Sequence, residues 1–154
     1  MKMMTGVIPK ETMEISEILA SDLYGQMISV NGAVHTVRDM GEVAFVVRRK
    51  REGLLQCVYE EGVTAIDLKE LKEGAAIEVS GVLNKEERAP GGFEIRMKEV
   101  KILSEPAESL PLPIAKWKMN TSLEARLNHR AVALRNIRER ATFRIQEGIV
   151  RGFR

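Results

Sequence analysis

Cysteine, histidine and long apolar runs are scarce in this sequence. The single cysteine, Cys57, excludes a disulfide framework and a cysteine-based zinc site. The two histidines, His35 and His129, cannot form a metal site without distant carboxylates, and we expect His35 to face solvent or a groove. The sequence lacks a run of about eighteen apolar residues, so no transmembrane helix is predicted. Residues 1–10 lack the apolar block of a signal peptide. These absences predict a cytoplasmic protein with no membrane partner and no metal site.

Motifs of catalysis are also absent. The sequence contains no phosphate-binding G-x-x-x-x-G-K-[ST], no G-x-G-x-x-G after a strand and no H-E-x-x-H. No pattern indicates a nucleophile paired with a base, so we predict no catalytic residue. Binding is therefore the function to look for in these residues.

Charge is unevenly distributed, although the net charge is only +2. Residues 115–154 hold ten Lys/Arg and three Asp/Glu, whereas residues 1–114 hold fourteen Lys/Arg and nineteen Asp/Glu. The only dense basic run of the acidic part is Arg48-Arg49-Lys50-Arg51. Such a run fits a solvated hairpin tip as well as a nucleic-acid contact. Charge alone therefore does not identify a nucleic-acid partner.

Five segments show the composition and alternation of β-strands. They are 27–37, 43–48, 54–59, 76–83 and 93–103. A helical turn at 67–72, capped by Asp67, separates the third strand from the fourth. This order is that of an OB-fold, a small closed barrel whose second and third strands present a face to oligonucleotides. A fragment of a β-sandwich is the structural alternative.

Prolines and an apolar stripe divide the rest of the chain. Three of the five prolines lie in residues 106–113, which excludes a helix there. Ser122 can then cap a helix, in which apolar residues recur every four positions. The stripe consists of Ile137, Ala141, Ile145, Ile149 and Phe153. Because it continues to Phe153 without a stop signal, we expect the chain to be cut short within its helix.

The predicted organisation has four parts and is mainly β. They are an N-terminal arm with a short helix (1–23), a five-stranded OB-fold barrel (24–104), a proline-rich hinge (105–121) and a helical segment (122–154).

A binding face is predicted on strands two and three. Phe45 lies on strand two and Gln56 on strand three, with Arg38 in the loop before strand two. An exposed aromatic ring can stack on an unpaired base, and an amide can both donate to and accept from one base edge. From the pattern alone, however, Phe45 is expected to fill the core.

Several short motifs stand in a fixed order along the chain. They are Asn31-Gly32-Ala33-Val34-His35, Arg38-Asp39-Met40-Gly41, Phe45, Arg51-Glu52-Gly53 and Gln56, followed by the segments 89–95, 109–113, 122–135 and 141–146. This order resembles the anticodon-binding domain, the hinge and the first part of the motif 1 helix of aspartyl-tRNA synthetases of the archaeal type. Asparaginyl-tRNA synthetases are a close second. Ala33 and Lys50 depart from the family, which has a tryptophan and an aspartate there.

The resemblance implies roles for individual residues. Phe45 would stack on the central uridine of the anticodon, and Gln56 would hydrogen-bond the same base, beside Arg38. Glu94 would read a guanine at the first anticodon position. Phosphate contacts are implied for Arg48, Arg49 and Arg51. The implied partner is the aspartate tRNA, and the asparagine tRNA in the alternative.

The resemblance also implies a larger parent protein. The motif 1 helix is a dimer element in that class, so the stripe implies a homodimeric parent. The motifs that bind ATP and the adenylate are absent here, so this chain would not activate an amino acid. ATP and Mg²⁺ would serve only the missing catalytic domain, and this chain would hold no cofactor. The alternatives are a general single-stranded nucleic-acid-binding OB protein and a structural fragment that binds no RNA.

Overall fold

A computed structural model describes residues 12–51 and 53–154 of the chain. The strands are β1 Met27–Asp39, β2 Val43–Arg49, β3 Leu54–Glu60, β4 Ala76–Lys85 and β5 Phe93–Ser104. The helices are α1 Ile15–Ala20, α2 Leu123–Asn128, α3 Arg130–Ala133 and α4 Ile137–Gly152, with a 3₁₀ turn at Leu68–Glu70. Residues 1–11 of the predicted N-terminal arm lie outside the described residues.

The five strands form a closed barrel in the order β1-β2-β3-β5-β4. Neighbouring strands are antiparallel except β3 and β5, which are parallel. The 3₁₀ turn lies between β3 and β4, and Asp67 caps it by accepting a hydrogen bond from the Lys69 amide at 2.9 Å. The prediction of a mainly β, five-stranded barrel of OB-fold topology is thus confirmed.

The barrel interior is filled by alternate residues of each strand, and α1 closes one part of it. Ile18 of α1 is fully buried in this core, and Met13, Ile15 and Leu23 pack against it. Burying apolar side chains from all five strands and α1 provides the main stabilising contribution.

Arg48 is also part of the interior. Residues of β2 alternate between the two faces of the sheet, so Arg48 follows Ala44 and Val46 onto the inner face. Its Nη1 donates to the Val30 carbonyl oxygen at 2.8 Å, whereas its Nε and Nη2 have no hydrogen-bond partner. The prediction that Arg48 contacts phosphates is wrong, because a fully buried guanidinium cannot reach a phosphate outside the barrel.

Lys50 is likewise used within the fold. Its Nζ donates to the Met13 carbonyl oxygen at 2.7 Å and lies 3.1 Å from the Glu14 carboxylate. These contacts attach the segment before α1 to the barrel. Of the basic run, therefore, only the half-buried Arg49 and the exposed Arg51 remain open to a partner.

Three helices follow the proline-rich segment, within the segment that was predicted to be helical. The predicted cap at Ser122 is confirmed, since its Oγ accepts from the Ala125 amide at 3.1 Å. The stripe lies on α4 and its end, with Ile137 and Ala141 half-buried and Ile145, Ile149 and Phe153 exposed. Among residues 12–51 and 53–154, no helix is long and apolar enough to cross a membrane.

Asn136 joins the extended segment before α2 to the start of α4. Its side-chain Nδ2 donates to the carbonyl oxygens of Ile114 at 2.9 Å and Lys116 at 2.7 Å. Its Oδ1 accepts from the amides of Arg138 at 3.0 Å and Glu139 at 3.2 Å, which caps α4. Both N–H donors and both oxygen lone pairs of this buried amide are therefore occupied by the backbone.

Replacing Asn136 with alanine is expected to lower the free energy of unfolding by about 2–3 kcal/mol, because it removes the helix cap and leaves two carbonyls without donors. Urea unfolding followed by circular dichroism measures the change. Asn128→Ala is the matched control, since Asn128 is exposed at the end of α2. Equal losses in the two variants would contradict the role assigned to Asn136.

Candidate nucleic-acid interface

The outer face of β1, β2, β3 and β5 carries two adjacent rows of cross-strand neighbours. The first row consists of Arg38, Phe45, Val58 and Arg96. The second row consists of Val47, Gln56 and Glu94. Neighbouring strands are about 4.8 Å apart, so side chains within a row contact one another. An open groove runs over these rows.

A β-bulge orients Arg38 toward this groove. The register between β1 and β2 shifts between Val34 and Thr36, so Val34 pairs with Arg48 but Arg38 pairs with Phe45. Without the shift, Arg38 would share the inner face of the barrel with Val34, because side chains alternate. We predicted Arg38 in a loop; instead β1 extends to Asp39, and the bulge lies at His35.

Phe45 lies on the outer face, so the pattern-based expectation that it fills the core is wrong. Its neighbours Ala44 and Val46 are fully buried inside, whereas Phe45 is only half-buried. The ring stands between Arg38 on one strand and Val58 on the other. A half-exposed ring beside a guanidinium provides a surface on which a base can stack.

Gln56 and Glu94 are connected directly. They are partners in the parallel register of β3 and β5, and Gln56 Nε2 donates to Glu94 Oε2 at 3.1 Å. Glu94 is 8% exposed, so its carboxylate is held at the floor of the groove. The hydrogen bond fixes both side chains before any ligand arrives.

The groove is balanced in charge. Its lining includes three arginines and three glutamates. They are Arg38, Arg88, Arg96, Glu60, Glu86 and Glu94. Arg96 lies 3.9 Å from the Glu60 carboxylate, which compensates part of its charge. A nucleic acid in this groove would therefore be recognised by stacking and hydrogen bonding more than by attraction of its phosphates.

The side chains of Cys57 and His35, residue types that are often reactive, are buried in this protein. Burial raises the pKa of the Cys57 thiol, which opposes formation of the thiolate at neutral pH. His35 is 3% exposed, not facing solvent as we expected, and burial, followed by the nearby Arg49, lowers its pKa. Within the described part of the chain, no three His, Cys, Asp or Glu side chains form a group able to hold a metal ion.

Comparison with known families decides what this barrel is. The tRNA anticodon family model, an OB-fold nucleic acid binding domain, matches residues 28–103. The barrel is a domain of this family. The matched residues run from the start of β1 to the end of β5, and they include all of the groove-lining strands of the anticodon-family barrel.

Relatives with established names extend the similarity beyond the barrel. An aspartate–tRNA(Asp/Asn) ligase of Deinococcus radiodurans is 36% identical over 84% of this chain and 28% of its own length. The ligase of the same name from Archaeoglobus fulgidus is 34% identical over 86% of this chain and 32% of its own. An aspartyl-tRNA synthetase structure from Entamoeba histolytica has a TM-score of 0.73 at 21% identity, over 92% of this chain and 36% of its own, which shows a shared fold. This chain spans about three tenths of the length of the named ligases.

All four predicted base-reading residues line one groove of the anticodon-family barrel. They are Arg38, Phe45, Gln56 and Glu94. Sequence reasoning missed the contributions of Arg88, Arg96, Glu60 and Glu86 to the same groove. Arg96 was within reach of the pattern, because it follows Glu94 by two positions on β5 and therefore shares its face. Arg88 lies in the β4–β5 loop, and no periodicity places a loop residue over a particular strand.

Proposed function

We propose that this chain is the anticodon-binding region of an aspartate-type class II aminoacyl-tRNA synthetase. The observation that carries the proposal is the convergence of Arg38, Phe45, Gln56 and Glu94, from four different strands, on one groove of an anticodon-family barrel. The relatives named above as aspartate–tRNA(Asp/Asn) ligases support an aspartate tRNA, an asparagine tRNA or both as the partner. The asparaginyl type is the alternative within the same class.

The chemistry of the groove suits two adjacent bases. Phe45 stacks on the central uridine, while the Gln56 amide donates to and accepts from the Watson–Crick edge of that base. Glu94 keeps a second carboxylate oxygen beside the one that Gln56 contacts, and it accepts from the N1–H and N2–H donors of a guanine in the first position. Because Gln56 and Glu94 are already hydrogen-bonded, little side-chain ordering remains to be done on binding.

The charge balance of the groove argues against the alternative of a general single-stranded nucleic-acid binder. Sequence-independent binding relies on a positively charged groove that follows the backbone. Here three glutamates offset three arginines in the groove. The bases, rather than the phosphates, therefore provide most of the recognition there.

Glu94→Gln is expected to weaken binding of a hairpin with a GUC anticodon by about 1–2 kcal/mol, since a charge-assisted hydrogen bond is replaced by a neutral one. The loss should be much smaller for a hairpin with adenine in the first position, which lacks the guanine donors. Fluorescence anisotropy of labelled hairpins measures both. Equal losses for the two hairpins would contradict the reading of guanine by Glu94.

The parent protein is proposed to be an aspartate–tRNA ligase that acts in the cytoplasm as a homodimer. ATP and Mg²⁺ would be bound by a catalytic domain, and the residues described here do not supply a metal site. The exposed stripe of α4, ending in Phe153, provides an apolar face for the second subunit.

We expect this chain alone to bind tRNA and to show no aspartate-dependent exchange of pyrophosphate into ATP.

A further inference from the structure

A second groove, which the base-reading residues do not touch, lies where the barrel meets α4. It is lined by Arg49, Lys50 and Arg51 from the end of β2 and by Arg140 from the first turns of α4, together with Glu14 and residues 31–33. Lys50 and Glu14 neutralise each other at 3.1 Å. The groove therefore has three further arginines in its lining.

The charges of these arginines are not offset by carboxylates of the described residues. None of Arg49, Arg51 and Arg140 forms a salt bridge with a carboxylate of the described residues. Glu139, the acidic residue beside Arg140, is instead paired with Arg126 at 3.0 Å. Burial, and after it the proximity of Arg135 and Arg140, lowers the pKa of Arg49. Folding thus gathers like charges from distant parts of the sequence, which destabilises the free chain.

A buried histidine orients the guanidinium of Arg49. Its Nη1 lies 3.4 Å from Nδ1 of His35, a buried ring whose lowered pKa favours the neutral, accepting form. This contact uses one donor of the guanidinium and leaves the others for a ligand. Gly32 lets β1 lie close to the end of β2 at the floor of this groove, because a Cβ at position 32 would lie only 3.1 Å from the Arg49 carbonyl oxygen.

We propose that Arg49 and Arg140 together bind one backbone phosphate of the RNA whose bases occupy the Phe45 groove, with Arg51 and Arg135 adding to the local positive potential. Planar guanidinium forks match the oxygens of a phosphate. This proposal rests on the proposed function for the identity of the ligand. It adds a contact that bridges the barrel and α4, so bound RNA holds the two together.

The position on β2 determines which phosphate is bound. Phe45 and Arg49 are four residues apart on the same face of β2, which is about 13 Å at the rise of a strand. A stacked nucleic-acid strand advances about 3.4 Å per nucleotide, so this separation corresponds to about four nucleotides. The phosphate therefore belongs to the stem next to the anticodon rather than to the anticodon itself.

The test compares Arg49→Gln, Arg140→Gln and the double variant with Arg144→Gln in the whole chain. Arg144 is an exposed arginine of α4 that does not line the groove. The probes are an RNA hairpin with a GUC anticodon and a five-nucleotide RNA containing GUC, each titrated over a series of salt concentrations. Each single variant is expected to weaken hairpin binding about five- to tenfold at low salt and to lower the salt slope by about 0.7–0.9, the loss of one phosphate contact.

The control probes separate this site from the base-reading groove. Neither single variant should alter binding of the five-nucleotide RNA, which is too short to reach Arg140, whereas Phe45→Ala should weaken binding of both RNAs. The reduction in the salt slope of hairpin binding should be no larger in the double variant than in a single variant, because both arginines bind the same phosphate. A hairpin whose binding depends on Arg49 and Arg140 but not on the anticodon sequence would contradict the proposed function and leave this inference standing.

Two results would overturn the inference. The first is a salt dependence of hairpin binding that is the same for Arg140→Gln as for Arg144→Gln. The second is a double variant whose reduction in salt slope equals the sum of the reductions in the two single variants. Thermal unfolding checks that the variants fold, and we expect them to be at least as stable as the natural chain because like-charge repulsion is reduced. Neutral methylphosphonate linkages at the third to fifth nucleotide from the central base provide a test without mutation: one of them should weaken binding to the natural chain but not to Arg140→Gln.

Discussion

Replacing Phe45 with alanine is expected to weaken binding of a GUC hairpin by about 1–3 kcal/mol, which is roughly a five- to 150-fold increase in Kd. The ring is half-buried between Arg38 and Val58. The loss follows from its removal, because the central base is proposed to stack on it. Fluorescence anisotropy with labelled hairpins measures it. Phe45→Trp should retain most of the affinity, because it keeps an aromatic surface in the same place.

Two controls separate stacking from folding and from base choice. Phe143→Ala removes another phenylalanine, one that is 43% exposed on α4 outside the groove, and should leave affinity unchanged. Because Phe45 is not in the core, Phe45→Ala should cost less stability than the 3–5 kcal/mol typical of a core phenylalanine. Base choice is assigned to Gln56, since stacking accepts any base. Equal binding of the natural chain to hairpins with other central bases would therefore contradict the proposed reading.

Gly81→Ala is expected to produce the largest loss of stability, about 3 kcal/mol or more, or to prevent folding. Gly81 lies on β4 at the second irregularity of the β4–β5 pairing, where the register shifts between Ser80 and Gly81. A Cβ at this position would lie 2.1 Å from the Arg96 carbonyl oxygen and 2.8 Å from Ile95 Cγ2. Since the nearest of these atoms is backbone, relief requires the two strands to separate. Urea unfolding of the purified variant measures the change.

Gly148→Ala is the matched control for the same chemical change. Gly148 lies within α4, and a Cβ there would meet no atom within 4 Å. Alanine is the better helix former, so this variant should gain about 0.5–1 kcal/mol. If the free energy of unfolding of Gly81→Ala changes by no more than that of Gly148→Ala, β4 and β5 are not tightly paired at Gly81. The prediction also concerns function, because Arg96 and Glu94 enter the groove from the same part of β5.

The site combines two kinds of recognition on one strand. At the Phe45 end of β2 the groove is balanced in charge and suited to bases. At the Arg49 end, the arginines gathered with α4 are suited to a phosphate. Specificity and affinity are thereby assigned to different residues, in line with the general division between base and backbone contacts.

Local sequence patterns predict the elements of the barrel and several of their ends. Alternation identified all five strands, because it reflects which side chains face the interior. The caps at Asp67 and Ser122 were also predictable, since a cap involves only residues two or three positions away. The motif order from Arg38 to Gln56 pointed to the family and to the residues of the groove.

The direction in which several side chains of the site face depends on contacts between distant strands. The bulge at His35, which moves Arg38 outward, depends on pairing with β2 and leaves no trace in local alternation. The parallel pairing that joins Gln56 to Glu94 connects residues 38 positions apart. Arg48 faces the interior, where its charge would be costly without a hydrogen-bond acceptor, and the Val30 carbonyl that accepts from it lies on another strand. Local periodicity reports which face a residue prefers, whereas register, bulges and the partners of buried charges are set by strands that meet only when the barrel closes.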